Sequence, residues 1–148
     1  MERLEISAMT FGPFGIAQRE GKTVLIPNVA PGDLVEAEIT SMRRDYATAR
    51  SIRLVHPGLA HREPRCRYLP RCGGCDWQQI EYGAQIRIKS ELIAAEFRRA
   101  LGVQIDSKGL VAAAETEFAY RSRMRLKLTS PSPCQDSWAS SDPSVTRR

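Results

Sequence analysis

The 148 residues contain no apolar run approaching the roughly 20 that a helix needs to cross a bilayer, so a helical membrane protein is excluded. The opening Met1-Glu2-Arg3-Leu4-Glu5 lacks the apolar core of a secretory signal. No glycine-rich loop follows a strand-like segment, and no later acidic residue stands where one would hold a ribose. A doubly wound nucleotide-binding sheet has neither its fingerprint nor room to form. Cysteine is scarce, with only four in the chain. The expected setting is the reducing cytoplasm, where clustered cysteines serve as ligands more often than as disulfides. What remains is an ordinary globular composition, 42% hydrophobic and 26% charged, long enough for one domain or two small ones.

Three of the four cysteines fall within one stretch of ten residues, Cys66-Arg67-Tyr68-Leu69-Pro70-Arg71-Cys72-Gly73-Gly74-Cys75. Soft metals need thiolates that converge on one point, and a C-x2-C pair supplies two from a single turn. Gly73 and Gly74 suit such a turn because glycine reaches positive φ. Arg65, Arg67 and Arg71 surround the site and would offset the negative charge of a metal–thiolate centre. Three readings compete: a metal or iron–sulfur site, a disulfide with one spare thiol, and inert buried cysteines. Zinc usually takes four ligands, often from two short pairs. The uneven C-x5-C-x2-C spacing resembles an iron–sulfur arrangement more closely, although spacing alone does not choose the metal. A zinc site would recruit His61 or Cys134 beside Cys66, Cys72 and Cys75.

The net charge of +5 is unevenly spread. Residues 1–55 carry 7 basic and 7 acidic residues, residues 56–130 carry 13 and 8, and residues 131–148 carry 2 and 2. The surplus therefore lies around and just after the cysteines, which fits a polyanionic partner.

Residues 1–55 read as five short strands: Leu4–Met9, Gly15–Ala17, Thr23–Pro27, Leu34–Ile39 and Tyr46–Ile52. Turn signals separate them at Gly12-Pro13, Glu20-Gly21 and Pro31-Gly32. Five strands in so short a span predict a small OB-type barrel, a fold that can offer one face to single-stranded nucleic acid. Between the last two strands, Arg43 and Arg44 stand near Tyr46, a combination able to contact phosphate and stack a base; a solvated hairpin tip is the plain alternative. Residues 57–65 read as a connector, since Pro57, Gly58 and Pro64 disfavour regular structure. Trp77 is placed over the cysteine site or against the following helix.

A helix is predicted over 82–101, with Ile86, Ile93, Phe97 and Leu101 forming one apolar stripe and Gly102 ending it. Residues 103–117 read as loop. After Tyr120 and Arg121, Arg123, Arg125 and Lys127 alternate with Met124, Leu126 and Leu128, giving a half-buried strand with a basic outer face. Residues 130–148 hold six serines and three prolines with no usable period, a composition expected to be disordered. The abrupt change after Thr129 suggests the front of a longer protein followed by a frameshifted or prematurely ended tail.

Together these residues resemble the RNA (uracil-5-)-methyltransferase family. Gly12-Pro13-Phe14-Gly15-Ile16-Ala17 and Ile26-Pro27-Asn28-Val29-Ala30-Pro31-Gly32-Asp33 look like its TRAM domain, an OB-like RNA-binding barrel. Cys66 through Cys75 followed by Asp76-Trp77-Gln78 looks like its C-x5-C-G-G-C-x-x-Q stretch, which holds a 4Fe-4S cluster. Tyr82, Gln85 and Lys89 match its next helix, and Tyr120-Arg121-Ser122-Arg123 matches the entry to its central RNA-binding domain. The resemblance runs from about residue 4 to residue 129. It implies a TRAM barrel at 1–55, a cysteine module with helix at 56–102, the start of a central β domain at 103–129 and a tail at 130–148. It also implies RNA as partner; Arg43, Arg44, Tyr46, Arg121, Arg123, Arg125 and Lys127 are the contacts expected from the residues themselves, and the chain is expected to be a monomer.

Two features depart from the family. Its fourth cluster ligand lies further along in a β context, whereas Cys134, the only remaining cysteine, lies in the Ser/Pro tail. Its catalytic half binds S-adenosylmethionine and carries a cysteine that attacks C6 of uracil, while a carboxylate base later removes the C5 proton. These 148 residues contain no match to that half, and Cys66, Cys72 and Cys75 are assigned as ligands rather than nucleophiles. The resemblance thus implies an N-terminal part that is inactive alone. The rival readings are a stand-alone RNA-binding or chaperone module and a small zinc-binding structural protein.

Overall fold

The computed structural model describes residues 1–70 and 74–120. Arg71, Cys72, the basic strand expected at 121–128 and the tail at 130–148 lie outside them.

Six strands form one curled sheet: β1 Glu2–Glu5, β2 Ala8–Met9, β3 Phe14–Arg19, β4 Lys22–Pro27, β5 Leu34–Met42 and β6 Tyr46–His56. The order across the sheet is β1-β5-β6-β4-β3-β2, antiparallel throughout except for the parallel β4–β6 pair. The five-strand expectation is corrected to six, and the reason is local. The segment read as one strand over Leu4–Met9 changes partner halfway. Ile6 N–H donates to Asp33 O at 2.9 Å, on the β5 side, while Ser7 N–H donates to Ile16 O at 2.8 Å, on the β3 side. The two sheet edges, β1 and β2, are therefore consecutive in the chain, which curls the sheet toward a barrel and leaves little edge exposed.

The strands follow from alternation. Ala17, Val24, Ile26, Val35, Ala37, Ala47 and Ala49 point inward and pack with Leu4, Ile6 and Val29 into a buried cluster. The β3–β4 hairpin turns in two residues, Glu20 at φ 48° and Gly21 at φ 79°, the mirror-image turn whose twist suits a tight hairpin.

One helix, α1, spans Tyr82–Leu101 and ends at Gly102, whose φ of 68° lets its N–H return to Arg98 O at 3.0 Å. The expected apolar stripe is corrected. Phe97 and Leu101 are exposed, and the buried positions are Ala84, Ile88, Ser90 and Ala94. Ala84 and Ile88 join Ile80 on the helix side and Met9 and Ala30 on the barrel side in a second cluster, with Ala60, Trp77 and Leu92 packed against it. Two alanines and Ile88 supply most of the buried face, while Ile86 and Ile93 of the expected stripe are only half-buried.

Candidate RNA interface and thiolate site

The parallel β4–β6 register pairs Thr23 with Tyr46, so the β3–β4 turn and the β5–β6 hairpin tip lie at the same end of the sheet. Arg43, Arg44 and Tyr46, expected from the sequence as RNA contacts, sit at this end, and Lys22 joins them. Lys22 was missed because only the parallel pairing brings it beside the hairpin. All four are exposed, as is Met42. Glu20 and Asp45 share this end.

Pairing distinguishes these cations from the others on the barrel. Arg3 and Arg53 both reach Glu36, Arg50 reaches Glu38, and Arg19 reaches Glu2. The hydrogen bond from Arg53, reinforced by Arg3, holds the Glu36 carboxyl below its usual range. Among the described residues Lys22, Arg43 and Arg44 have no such acidic partner within ion-pair distance. Their charge is available to phosphate.

The opposite end of the barrel is joined to the cysteine segment. Asp33, singled out in the sequence only as the end of the TRAM-like stretch, is fully buried. Its carboxyl accepts from Ala30 N–H at 2.7 Å and from Gly58 N–H at 2.9 Å, and lies 3.0 Å from His61 Nδ1. Gly58 sits so close to Pro31 and Gly32 that a Cβ there would come within 2.4 Å of Pro31 O. Gln79 donates to Val29 O at 3.0 Å, and Trp77 Nε1–H donates to Gly12 O at 2.9 Å. The stretch read as a connector also pairs with the residues before α1: Arg62 N–H donates to Gln79 O, and Glu81 N–H to Ala60 O.

The three residues of the helix pattern secure α1 to this joint. Gln85 donates to Trp77 O and Ile80 O, Tyr82 Oη accepts from Ala114 N–H, and Lys89 Nζ lies 5.7 Å above the Trp77 ring. Trp77 is thus an interface residue between barrel and helix. The basic hairpin tip and the cysteine segment stand at opposite ends of β4, a strand of six residues, which separates them by roughly 17 Å or more.

Cys66 is half-buried, Cys75 is exposed, and both are free thiols. One side chain links them: Gln78 Oε1 accepts from Cys66 N–H at 3.2 Å, and its Nε2 donates to Cys75 Sγ at 3.2 Å. A backbone N–H of one cysteine and the sulfur of another, both on one amide and both thiols free, fit a thiolate-held metal or cluster, with Cys72 outside the described residues. Among those residues no three of His, Cys, Asp or Glu gather as a metal site, so His61 does not converge with Cys66 and Cys75. Arg65, expected around the thiols, lies 4.8 Å above the Phe118 ring, and Arg67 lies 4.9 Å above Tyr68.

Arg62 ties the segment down. Its Nε donates to Gln78 O at 2.9 Å, its Nη2 pairs with Glu117, and its guanidinium lies over Phe118. The hydrogen bond from Arg62 holds the Glu117 carboxyl below its usual range and raises Arg62 in turn. A carboxyl depressed in the folded state stabilises above its unfolded value of about 4.3, and the contribution is lost as pH falls toward the folded value. Acidification below about pH 4.3 should therefore weaken the Arg62–Glu117 pair beside the Phe118 ring. Ring-proton shifts of Phe118 should follow one titration, which Glu117→Gln abolishes; a titration that survives the substitution contradicts the assignment.

The TRAM domain family matches residues 3–52. The 23S rRNA (uracil(1939)-C(5))-methyltransferase RlmD of Pectobacterium atrosepticum is 34% identical over 129 residues, 86% of this chain and 28% of that protein. RlmD of Pseudomonas putida is 34% identical over 125 residues, 84% of this chain and 27% of its own length. An uncharacterized RNA methyltransferase of Thermotoga maritima is 32% identical over 128 residues, 85% of this chain and 28% of its own. The chain matches the N-terminal portion of RNA uracil-C5-methyltransferases. It spans little more than a quarter of the length of these relatives. The similarity runs through both the TRAM barrel and the cysteine–helix segment, the two parts that the buried Asp33 joint unites. Among the described residues no helix is long and apolar enough to cross a membrane.

Proposed function

We propose that this chain is the RNA-docking front of an S-adenosylmethionine-dependent RNA uracil-5-methyltransferase. The barrel end bearing Lys22, Arg43, Arg44 and Tyr46 takes the phosphate backbone and stacks a base. Cys66, Cys72 and Cys75 hold a 4Fe-4S cluster. When bound, that cluster crosslinks the loop and adds a redox-capable centre. The observation that carries the reading is the match of about 129 residues, across barrel and cysteine segment together, to proteins named as 23S rRNA uracil methyltransferases. Ribosomal RNA containing the corresponding uridine is the first substrate to test. The basic residues Arg121, Arg123, Arg125 and Lys127 extend the contact from outside the described residues.

Methyl transfer needs the S-adenosylmethionine-binding half, for which these 148 residues carry no fingerprint. Purified chain given labelled S-adenosylmethionine and uridine-containing RNA should transfer no methyl group. It should nevertheless shift that RNA in a gel at low salt, with affinity falling as salt rises. Absence of RNA binding at low salt, or turnover by the chain alone, overturns the proposal.

A further inference from the structure

Gln78 follows the cysteine stretch by three residues, and its backbone carbonyl and both ends of its side-chain amide are hydrogen-bonded. Arg62 Nε–H fixes the backbone carbonyl at 2.9 Å. The side-chain amide lies between the two described thiols' residues, 3.2 Å from Cys66 N and 3.2 Å from Cys75 Sγ. The orientation of this amide follows from chemistry. Cys66 N–H can only donate, so the atom facing it is Oε1, and Nε2–H must face the sulfur. An N–H aimed at a thiolate stabilises the charged sulfur through a charge-assisted hydrogen bond, and it has no such gain with an apolar neighbour. The same amide sets the distance between the backbone at Cys66 and the sulfur at Cys75, the first and last cysteines of the stretch. Gln79, its neighbour, reaches the barrel instead, with Nε2 on Val29 O and Asp76 O. Adjacent glutamines thus divide the work: Gln79 holds the segment to the barrel, and Gln78 ties the Cys66 backbone to the Cys75 sulfur.

We infer that Gln78 is a positioning residue for the thiolate site: its amide presets the Cys66–Cys75 geometry and donates a hydrogen bond to the Cys75 sulfur of the bound centre. This rests on the reading of the cysteines as metal or cluster ligands. Residues that support metal ligands from behind are worth about 10–100-fold in metal affinity. Glu117 and Arg62 extend the support, since Arg62 holds both Gln78 O and the Glu117 carboxylate.

The test uses the full chain, reduced and metal-free, titrated anaerobically with Co²⁺ as a thiolate probe. The thiolate-to-cobalt charge-transfer band reports binding and sulfur electronics together. Gln78→Leu removes both hydrogen bonds at similar volume; Gln78→Glu keeps an acceptor for Cys66 N–H and loses the donor to sulfur. Both should weaken Co²⁺ binding about 10–100-fold and move the band to lower energy, because a sulfur without its hydrogen-bond donor gives up charge more readily. Circular dichroism of the barrel should not change, since both hydrogen bonds of the Gln78 side chain go to the cysteine segment and neither to a strand. Equal affinity and an unmoved band in all three proteins overturn the role of Gln78 while leaving the thiolate site standing. Failure of the unsubstituted chain to bind Co²⁺ overturns the thiolate reading itself.

Discussion

Replacing Asp33 with alanine should destabilise the chain by about 3–5 kcal/mol, because it strands two buried N–H donors and the imidazole that share one carboxyl. Each unsatisfied donor costs about 1–3 kcal/mol, and Ala30 N–H and Gly58 N–H have no other described partner within reach of that pocket. The corresponding fall in Tm is on the order of 10–20 °C. Asp33→Asn, which keeps one acceptor oxygen, should lose roughly half as much. Thermal denaturation followed by circular dichroism measures both. An Asp33→Ala chain melting within a degree or two of the unsubstituted one would mean that the joint between barrel and cysteine segment does not depend on this carboxyl. The position matters beyond stability. His61 belongs to the segment that pairs with Ile80, and Ile80 lies at the centre of the second buried cluster. Loosening Asp33 therefore loosens the platform on which Cys66, Gln78 and α1 are built.

The largest functional effect should come from the unpaired cations. A protein that neutralises phosphates releases counterions, and for single strands the salt dependence scales as about 0.7 per phosphate contact. Substituting Lys22, Arg43 and Arg44 together with alanine should reduce the slope of log K against log[salt] by about 2 and weaken RNA binding by at least tenfold near physiological salt. Tyr46→Ala should cost a further 1–3 kcal/mol or so through lost stacking, with little effect on slope. Neither change should disturb folding, since all four side chains are exposed. Substituting Arg50 and Arg53, which are already engaged by Glu38 and Glu36, should change the slope far less. If the two sets of arginines prove equivalent, the argument from pairing is wrong.

How much of this was legible in the sequence varied with the physical signal. The helix was found with both its bounds, because turn residues precede it and Gly102 adopts the left-handed conformation that ends it. Four of the strands followed from alternation and from turns at Glu20-Gly21 and Pro31-Gly32. The break at Ile6-Ser7 was not legible, since both residues continue an alternating pattern and only the hydrogen-bond partners change. The buried face of α1 was misread for a related reason: Ala84 and Ala94 are buried but carry weak hydrophobic signals, whereas the bulky Phe97 and Leu101 that set the expected stripe are exposed. Asp33 and Lys22 were missed because their importance lies in partners distant along the chain. Asp33 meets His61 across 28 positions, and Lys22 meets the hairpin tip only through a parallel strand pair. The spacing singled out Cys66 and Cys75, whereas the Gln78 amide between the Cys66 backbone and the Cys75 sulfur was visible only as part of a family pattern.

The account places RNA on one end of a barrel whose other end carries the thiolate site. Photocrosslinking the full chain to 4-thiouridine-substituted ribosomal RNA, with the attachment sites mapped by mass spectrometry, tests that placement directly. The expected attachment lies within Met42–Tyr46 and beside Lys22, with any further sites in the basic residues 121–127. Crosslinks that leave Met42–Tyr46 untouched and fall instead on the exposed face of α1, around Phe97 and Leu101, would contradict it.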